Sequence, residues 1–175
     1  ARALGIKRDC GIADATTHPV VGADLVEALV RCGRGDEASA AAEALHAEAL
    51  RSGRISALAV AERAVAVAGV DADAHFARAS ELHAGTADPF AAARTTLAWG
   101  DALRRGGSRV ESRERLEEAR TQFERLGAGL WEEQAASALA RSGKVLRRET
   151  AQRDELTPAE LEVASLVAEG KRNKE

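Results

Sequence analysis

The sequence has no tyrosine and no methionine, three prolines, two cysteines, and an aromatic content of only 3%. Strands of sandwiches, barrels and Rossmann sheets draw on aromatic and β-branched side chains, so this scarcity argues against each of them. Cys10 and Cys32 make neither a disulfide framework nor a CxxC site, and reduced thiols in a cytoplasmic protein are the expectation. No apolar run approaches the ~20 residues of a membrane span. The longest, Ile55 to Val70, is interrupted by Glu62-Arg63. The first residues do not read as a signal peptide, a segment that an internal piece of a longer protein would lack in any case. It begins Ala1-Arg2-Ala3 rather than with Met, the expected start of an internal piece of a longer protein. A basic footprint is missing as well: the formal net charge is −3, with residues 1–103 at −4 and the remainder at +1. Such a chain should not bind nucleic acid strongly by itself.

What is abundant is alanine and arginine, 40 and 21 residues respectively, against 4 lysines. With Leu and Glu these head the helix-propensity ranking, so the expected class is all-α with a core of Ala, Leu and Val. Gly and Pro divide the chain at intervals that suit helical hairpins. Residues 1–20 read as the tail of an earlier helix and a loop, and Asp24 opens a helix ending at Cys32-Gly33-Arg34-Gly35. Asp36 caps a second helix to Arg51, and a third runs from Ser56 to Ala68. A fourth starts at Asp71 or Asp73 and finishes near Gly85. Asp88 and Pro89 suit the cap and first turn of a fifth, reaching Arg105. The sixth covers 109–126 and the seventh 130–141, with Gly127 and Gly143 at C′ positions. In the sixth, Leu116, Ala119, Phe123 and Leu126 recur at steps of three, four and three, one stripe of an amphipathic helix.

A repeat underlies this spacing. Ala28-Leu29-Val30-Arg31-Cys32-Gly33 aligns with Ala102-Leu103-Arg104-Arg105-Gly106-Gly107 at an offset of 74, which also superimposes Glu37 on Glu111 and Gly53 on Gly127. Gly69 stands near the midpoint between Gly33 and Gly107, giving a half-period close to the ~34-residue helical hairpin of tetratricopeptide arrays. The third unit resembles that pattern best, with Gly100 and Leu103 on its first helix and Ser112, Leu116 and Ala119 on its second. Thr96 and Leu103 stand where the family has Trp and Tyr. The expected organisation is a TPR-like helical-hairpin solenoid over residues 1–142, then a stretch over 143–155 of mixed charge and little apolar content, read as a linker or solvated helical extension.

The last segment has its own grammar. Leu156-Thr157-Pro158-Ala159-Glu160-Leu161 places an N-cap at Thr157, Pro at N1, Glu at N3 and a staple of Leu156 with Leu161. Gly170 ends that helix and Asn173 can cap the next. Residues 156–175, with Leu156, Thr157, Glu160, Glu162, Val163, Glu169, Gly170, Asn173, Lys174 and Glu175 at fixed spacing, resemble the opening of the LuxR-type helix-turn-helix domain. Upstream, Pro89-Phe90, Leu97 to Arg105, Phe123 to Ala128 and Trp131-Glu132 resemble the helical region before that domain in large ATP-binding, MalT-like LuxR regulators. The resemblance implies a DNA-binding transcriptional regulator with Thr157, Asn173 and Lys174 in its DNA-binding motif. The motif is incomplete: the recognition helix lies beyond Glu175, so DNA would be reached only through helices this chain does not carry. No cofactor is implied in this chain, and ATP would belong to an upstream module.

The competing reading is a tetratricopeptide-type scaffold with no DNA role, in which Leu156–Glu175 is a capping helix. An unpartnered helix presenting Leu161, Leu166 and Val167 would also favour a homodimer.

Other chemistry is sparse, and no enzyme site is expected. Gly33-Arg34-Gly35 lacks the strand and GK[ST] of a phosphate loop, and Arg34-Gly35-Asp36 reads as a turn and cap. His75 and His83 are eight apart, off the i,i+4 spacing of helical metal ligands. Glu117-Glu118 and Glu132-Glu133 diverge around their helices. Trp99 and Trp131 read first as packing residues. The functional expectation is that Trp99, with Arg94, Arg104 and Arg105, lines a solenoid surface for a small effector or protein partner.

Overall fold

A chain so rich in alanine gains little from each buried side chain, so its helices must approach closely and share one another's faces. The computed structural model describes residues 18–69 and 71–154, and these form seven helices with no strand among the described residues. They are α1 (His18–Arg31), α2 (Gly35–Ser52), α3 (Ile55–Ala68), α4 (Ala72–Ala84), α5 (Pro89–Gly106), α6 (Arg109–Arg125) and α7 (Gly129–Asp154). The chain divides into two units, 1–139 and 140–175, and within the second the backbone over 140–154 is helical. Residues 1–17 and 155–175 lie outside the described residues. So do the expected earlier helix and loop, Cys10, and the DNA-motif residues Thr157, Asn173 and Lys174.

Local chemistry explains most boundaries. Asp88 Oδ1 accepts from the Ala91 amide at 2.9 Å and Pro89 occupies the first turn of α5, as expected. Gly107 and Gly127 adopt positive φ (89° and 64°) where α5 and α6 end. Three boundaries differ from expectation. Helix α1 is already formed at His18, six residues before Asp24, because Pro19 falls in the first turn, where its missing N–H costs nothing. Helix α7 runs through Gly143 to Asp154 rather than stopping near Arg141, so of the two readings of 143–155 the helical extension is what the backbone shows over 143–154. A single interior Gly costs about 1 kcal/mol without removing a hydrogen-bond donor, and the Leu, Arg and Glu around it are strong helix formers. Asp36 also sits inside the first turn of α2, not at its cap, and Arg34 pairs with Glu37 beside it.

Each of the first five helices packs on its successor, and α3 packs in addition on both α1 and α5. Burial repeats with the sequence offset. Ala38, Ala42, Leu45 and Ala49 are the buried residues of α2, and Ser112, Leu116, Ala119 and Phe123, each 74 residues on, are those of α6. Helix α3 is enclosed on all sides, with every residue from Ala59 to Ala66 buried, Glu62 and Arg63 included. The aromatics gather in two groups. Phe76 stacks on Trp99 (5.8 Å between centroids), while Phe90, Phe123 and Trp131 meet pairwise at 5.6–5.9 Å.

The α5–α6 hairpin is the closest approach. A Cβ at Gly100 would stand 2.8 Å from the Leu116 side chain and 3.2 Å from its backbone nitrogen, and Ser112 Oγ donates to the Gly100 carbonyl at 2.8 Å. Gly100→Ala would therefore gain about 1 kcal/mol of helix propensity. It would lose about 1–3 kcal/mol to overpacking against a fully buried Leu116. The expected result is a urea midpoint corresponding to roughly 1 kcal/mol less stability. Gly106→Ala, with nothing within 4 Å of its Cβ, should be neutral or stabilising in the same assay.

Candidate functional site

Two buried arginines of the first unit, Arg63 on α3 and Arg94 on α5, share a carboxylate partner on α1. Arg94 of α5 is 8% exposed, and its Nη2 donates to Asp24 Oδ1 (2.7 Å) and Glu27 Oε1 (3.0 Å) on α1. Its guanidinium lies 4.7 Å from the centroid of Trp131 on α7, a cation–π contact in a largely desolvated setting. Behind it Arg63 of α3, 1% exposed, brings Nε to 3.7 Å from the same Glu27 oxygen and donates from Nη1 to the Ala91 carbonyl at 3.4 Å. Glu27 thus serves two arginines from two other helices. Burial, with Arg94 alongside, pulls the Arg63 guanidinium down to about 10, still charged at neutral pH. The Arg63 Nε has no hydrogen bond and is sealed from solvent.

In front of Arg94 is a cavity of about 80 Å³. Its wall comes from odd-numbered helices alone: Glu27, Val30 and Arg31 of α1, Val67 of α3, Arg94, Leu97, Ala98, Asp101 and Arg105 of α5, and Trp131 and Gln134 of α7. Glu27 and Asp101, and again Arg31 and Arg105, are 74 residues apart, so the repeat supplies the same two positions twice. Asp101 is engaged by Arg104 Nε at 3.3 Å. The four residues expected on one surface are divided by helical geometry. At about 100° per residue, Arg105 returns to within about 20° of Arg94, Arg104 lies about 80° away and Trp99 about 140° away. Arg94 and Arg105 accordingly share the cavity, and Arg104 stands beside it. Trp99 packs on the other side, donating Nε1 to Asp73 Oδ1 (3.1 Å) beneath Arg115, whose guanidinium is 4.2 Å from its centroid. Trp99 belongs instead to a separate, acidic crevice with Glu111, Glu114 and Glu118. Trp131 is the aromatic that the expected surface omits. Its position 37 residues after Arg94, half the repeat offset, is the signal that could have found it.

A second polar group joins α2, α3 and α4. Glu62 accepts from His75 (Nδ1, 2.5 Å) and His46 (Nε2, 3.1 Å), whose rings meet edge to face. Burial raises the Glu62 carboxyl, but the two imidazole hydrogen bonds outweigh it and hold the group below its ordinary value. No cluster of three or more His, Cys, Asp or Glu among the described residues has the geometry to hold a metal ion. Helical spacing within one segment could not reveal the His46–His75 pairing, because the two rings come from different helices.

His83 contacts the same interior. Thr95 Oγ1 donates to the Ala91 carbonyl (3.1 Å), so its one hydroxyl proton is committed and His83 must donate to it from Nε2 (2.9 Å). The His83 Nδ1 is left buried without a partner. Burial first, then the nearby Arg63 charge, push His83 down to about 4.

Among the described residues, then, the chain is an all-helical protein with a buried arginine–carboxylate network, and none of its helices is long and apolar enough to cross a membrane. No family model, curated protein or solved structure matches it.

The unfolded chain protonates His83 near pH 6.5 and the folded chain only near 4, so stability is full above pH 6.5 and falls as pH drops through that window. The loss attributable to His83 is about 3 kcal/mol. His83→Gln should flatten the fall in melting temperature between pH 6.5 and 4 relative to the parent. An unchanged slope would show that His83 does not carry it.

Proposed function

We propose that this chain is the helical-repeat sensor region, with the start of the DNA-binding domain, of a cytoplasmic LuxR-family transcriptional regulator. In this reading the hairpins stack as a TPR-like solenoid. The observation that carries the sensor role is the pooling of equivalent repeat positions, Glu27 with Asp101 and Arg31 with Arg105, around one cavity. The 74-residue recurrence of buried positions supports the repeat architecture. The DNA role rests on the residues of 156–175, from Leu156-Thr157 to Asn173-Lys174-Glu175. The mechanism follows from the helix order: a ligand drawing α1, α3, α5 and α7 together would alter the position of α7, which leads in sequence toward the DNA-binding segment.

Sequencing the gene through about another 45 codons past Glu175, enough for a compact helix-turn-helix module, tests the assignment. The expected frame continues with an apolar helix, a short turn and a second helix bearing base-contacting side chains. A stop codon directly after Glu175 would overturn the regulator and leave a helical scaffold.

A further inference from the structure

The guanidinium of Arg94 has five N–H donors. Nη2 uses two of them on Asp24 and Glu27, while Nη1 and Nε have no hydrogen-bond partner among the described residues. Neither atom is sealed from solvent, in contrast to the Nε of Arg63. In a residue only 8% exposed, on the wall of a cavity, unused charged donors facing water are what an anionic group would satisfy. Charge around the cavity agrees. Its two carboxylates are already engaged, Glu27 by Arg94 and Arg63, Asp101 by Arg104. Arg31 and Arg105, on the same wall, make no ion pair among the described residues. A chain of net charge −3 therefore presents here a locally cationic recess.

Size and lining narrow the ligand. A volume near 80 Å³ is far below the ~300 Å³ at which sites for nucleotides and other drug-sized molecules begin. Val30, Val67, Leu97, Ala98 and the Trp131 indole form an apolar wall that a fully hydrated inorganic anion would not use.

We propose that the α1/α3/α5/α7 cavity binds a short-chain carboxylate, with the carboxylate on the unused donors of Arg94 and the alkyl chain against Val30, Val67 and Leu97. Arg31 and Arg105 draw the anion to the mouth. This deepens the sensor reading of the same cavity by giving its ligand a chemical class. The reading-frame test above involves no ligand, so failure of either can be told from failure of the other.

The experiment is a titration of the full chain with sodium butyrate, followed by indole fluorescence and by the arginine Nε–Hε resonances. Saturable binding is expected, weakened about tenfold, or 1.4 kcal/mol, in the double variant Arg31→Gln/Arg105→Gln. Rising salt should weaken it further. Val67→Phe, which fills the recess from a half-buried position, should abolish binding, with circular dichroism confirming that the variant folds. The proposal is overturned if butyrate does not saturate or if the double variant binds as tightly as the parent. It also falls if 1-butanol binds as well as butyrate, or if inorganic phosphate binds where butyrate does not.

Discussion

Glu27 is the carboxylate through which charge joins α1 to α3 and α5. It sits on α1 and faces Arg94 of α5 and Arg63 of α3, two guanidiniums that alanine-rich packing has taken almost wholly out of water. A buried arginine without a counter-charge is strongly unfavourable, and removing one partner of a buried pair typically costs 3–5 kcal/mol. Glu27 itself keeps about a fifth of its surface exposed, which reduces that figure through solvent screening. Even so, an alternative register of α1 against α3 and α5 would strand two cations in an apolar interior. The core of small alanines specifies position weakly, since many registers bury them equally well. The charged cluster discriminates among those registers, and its geometry also leaves Arg94 with donors to spare.

Most of the fold was legible because it rests on local rules. Asp88-Pro89 marks a helix start, Gly107 and Gly127 mark helix ends, and the three-four-three stripe of Leu116, Ala119 and Phe123 is the buried face of α6. The offset of 74, visible first in Ala28–Gly33 and Ala102–Gly107, reappears as the spacing of buried residues in α2 and α6. The misses are local as well. Gly143 reads as a stop but is tolerated inside α7, and Pro19 belongs to a helix that began earlier than Asp24.

The site was legible only in part, for a different reason. Arg94 and Arg105 were expected on a functional surface and do share a cavity, but the grouping with Trp99 ignored helical phase, and Trp99 faces Asp73 and Arg115 instead. Glu62-Arg63, which in sequence merely interrupts an apolar run, becomes the polar centre of the interior. Their partners, His46, His75 and Glu27, come from helices 12 or more residues away, and no single-helix periodicity encodes such pairings. The proposed DNA role rests on the sequence of residues 156–175 alone, which lie outside the described residues, while the helices of the first unit carry the cavity.

A double-mutant cycle between Glu27 and Arg94 tests the central claim most directly, using Glu27→Gln and Arg94→Met with chemical denaturation of all four proteins. If the buried network sets the register of α1 against α5, the two substitutions are strongly coupled, by about 1.5 kcal/mol or more. Effects that add to within about 0.5 kcal/mol would mean that the two side chains act independently, and the helices would then owe their arrangement to apolar packing alone.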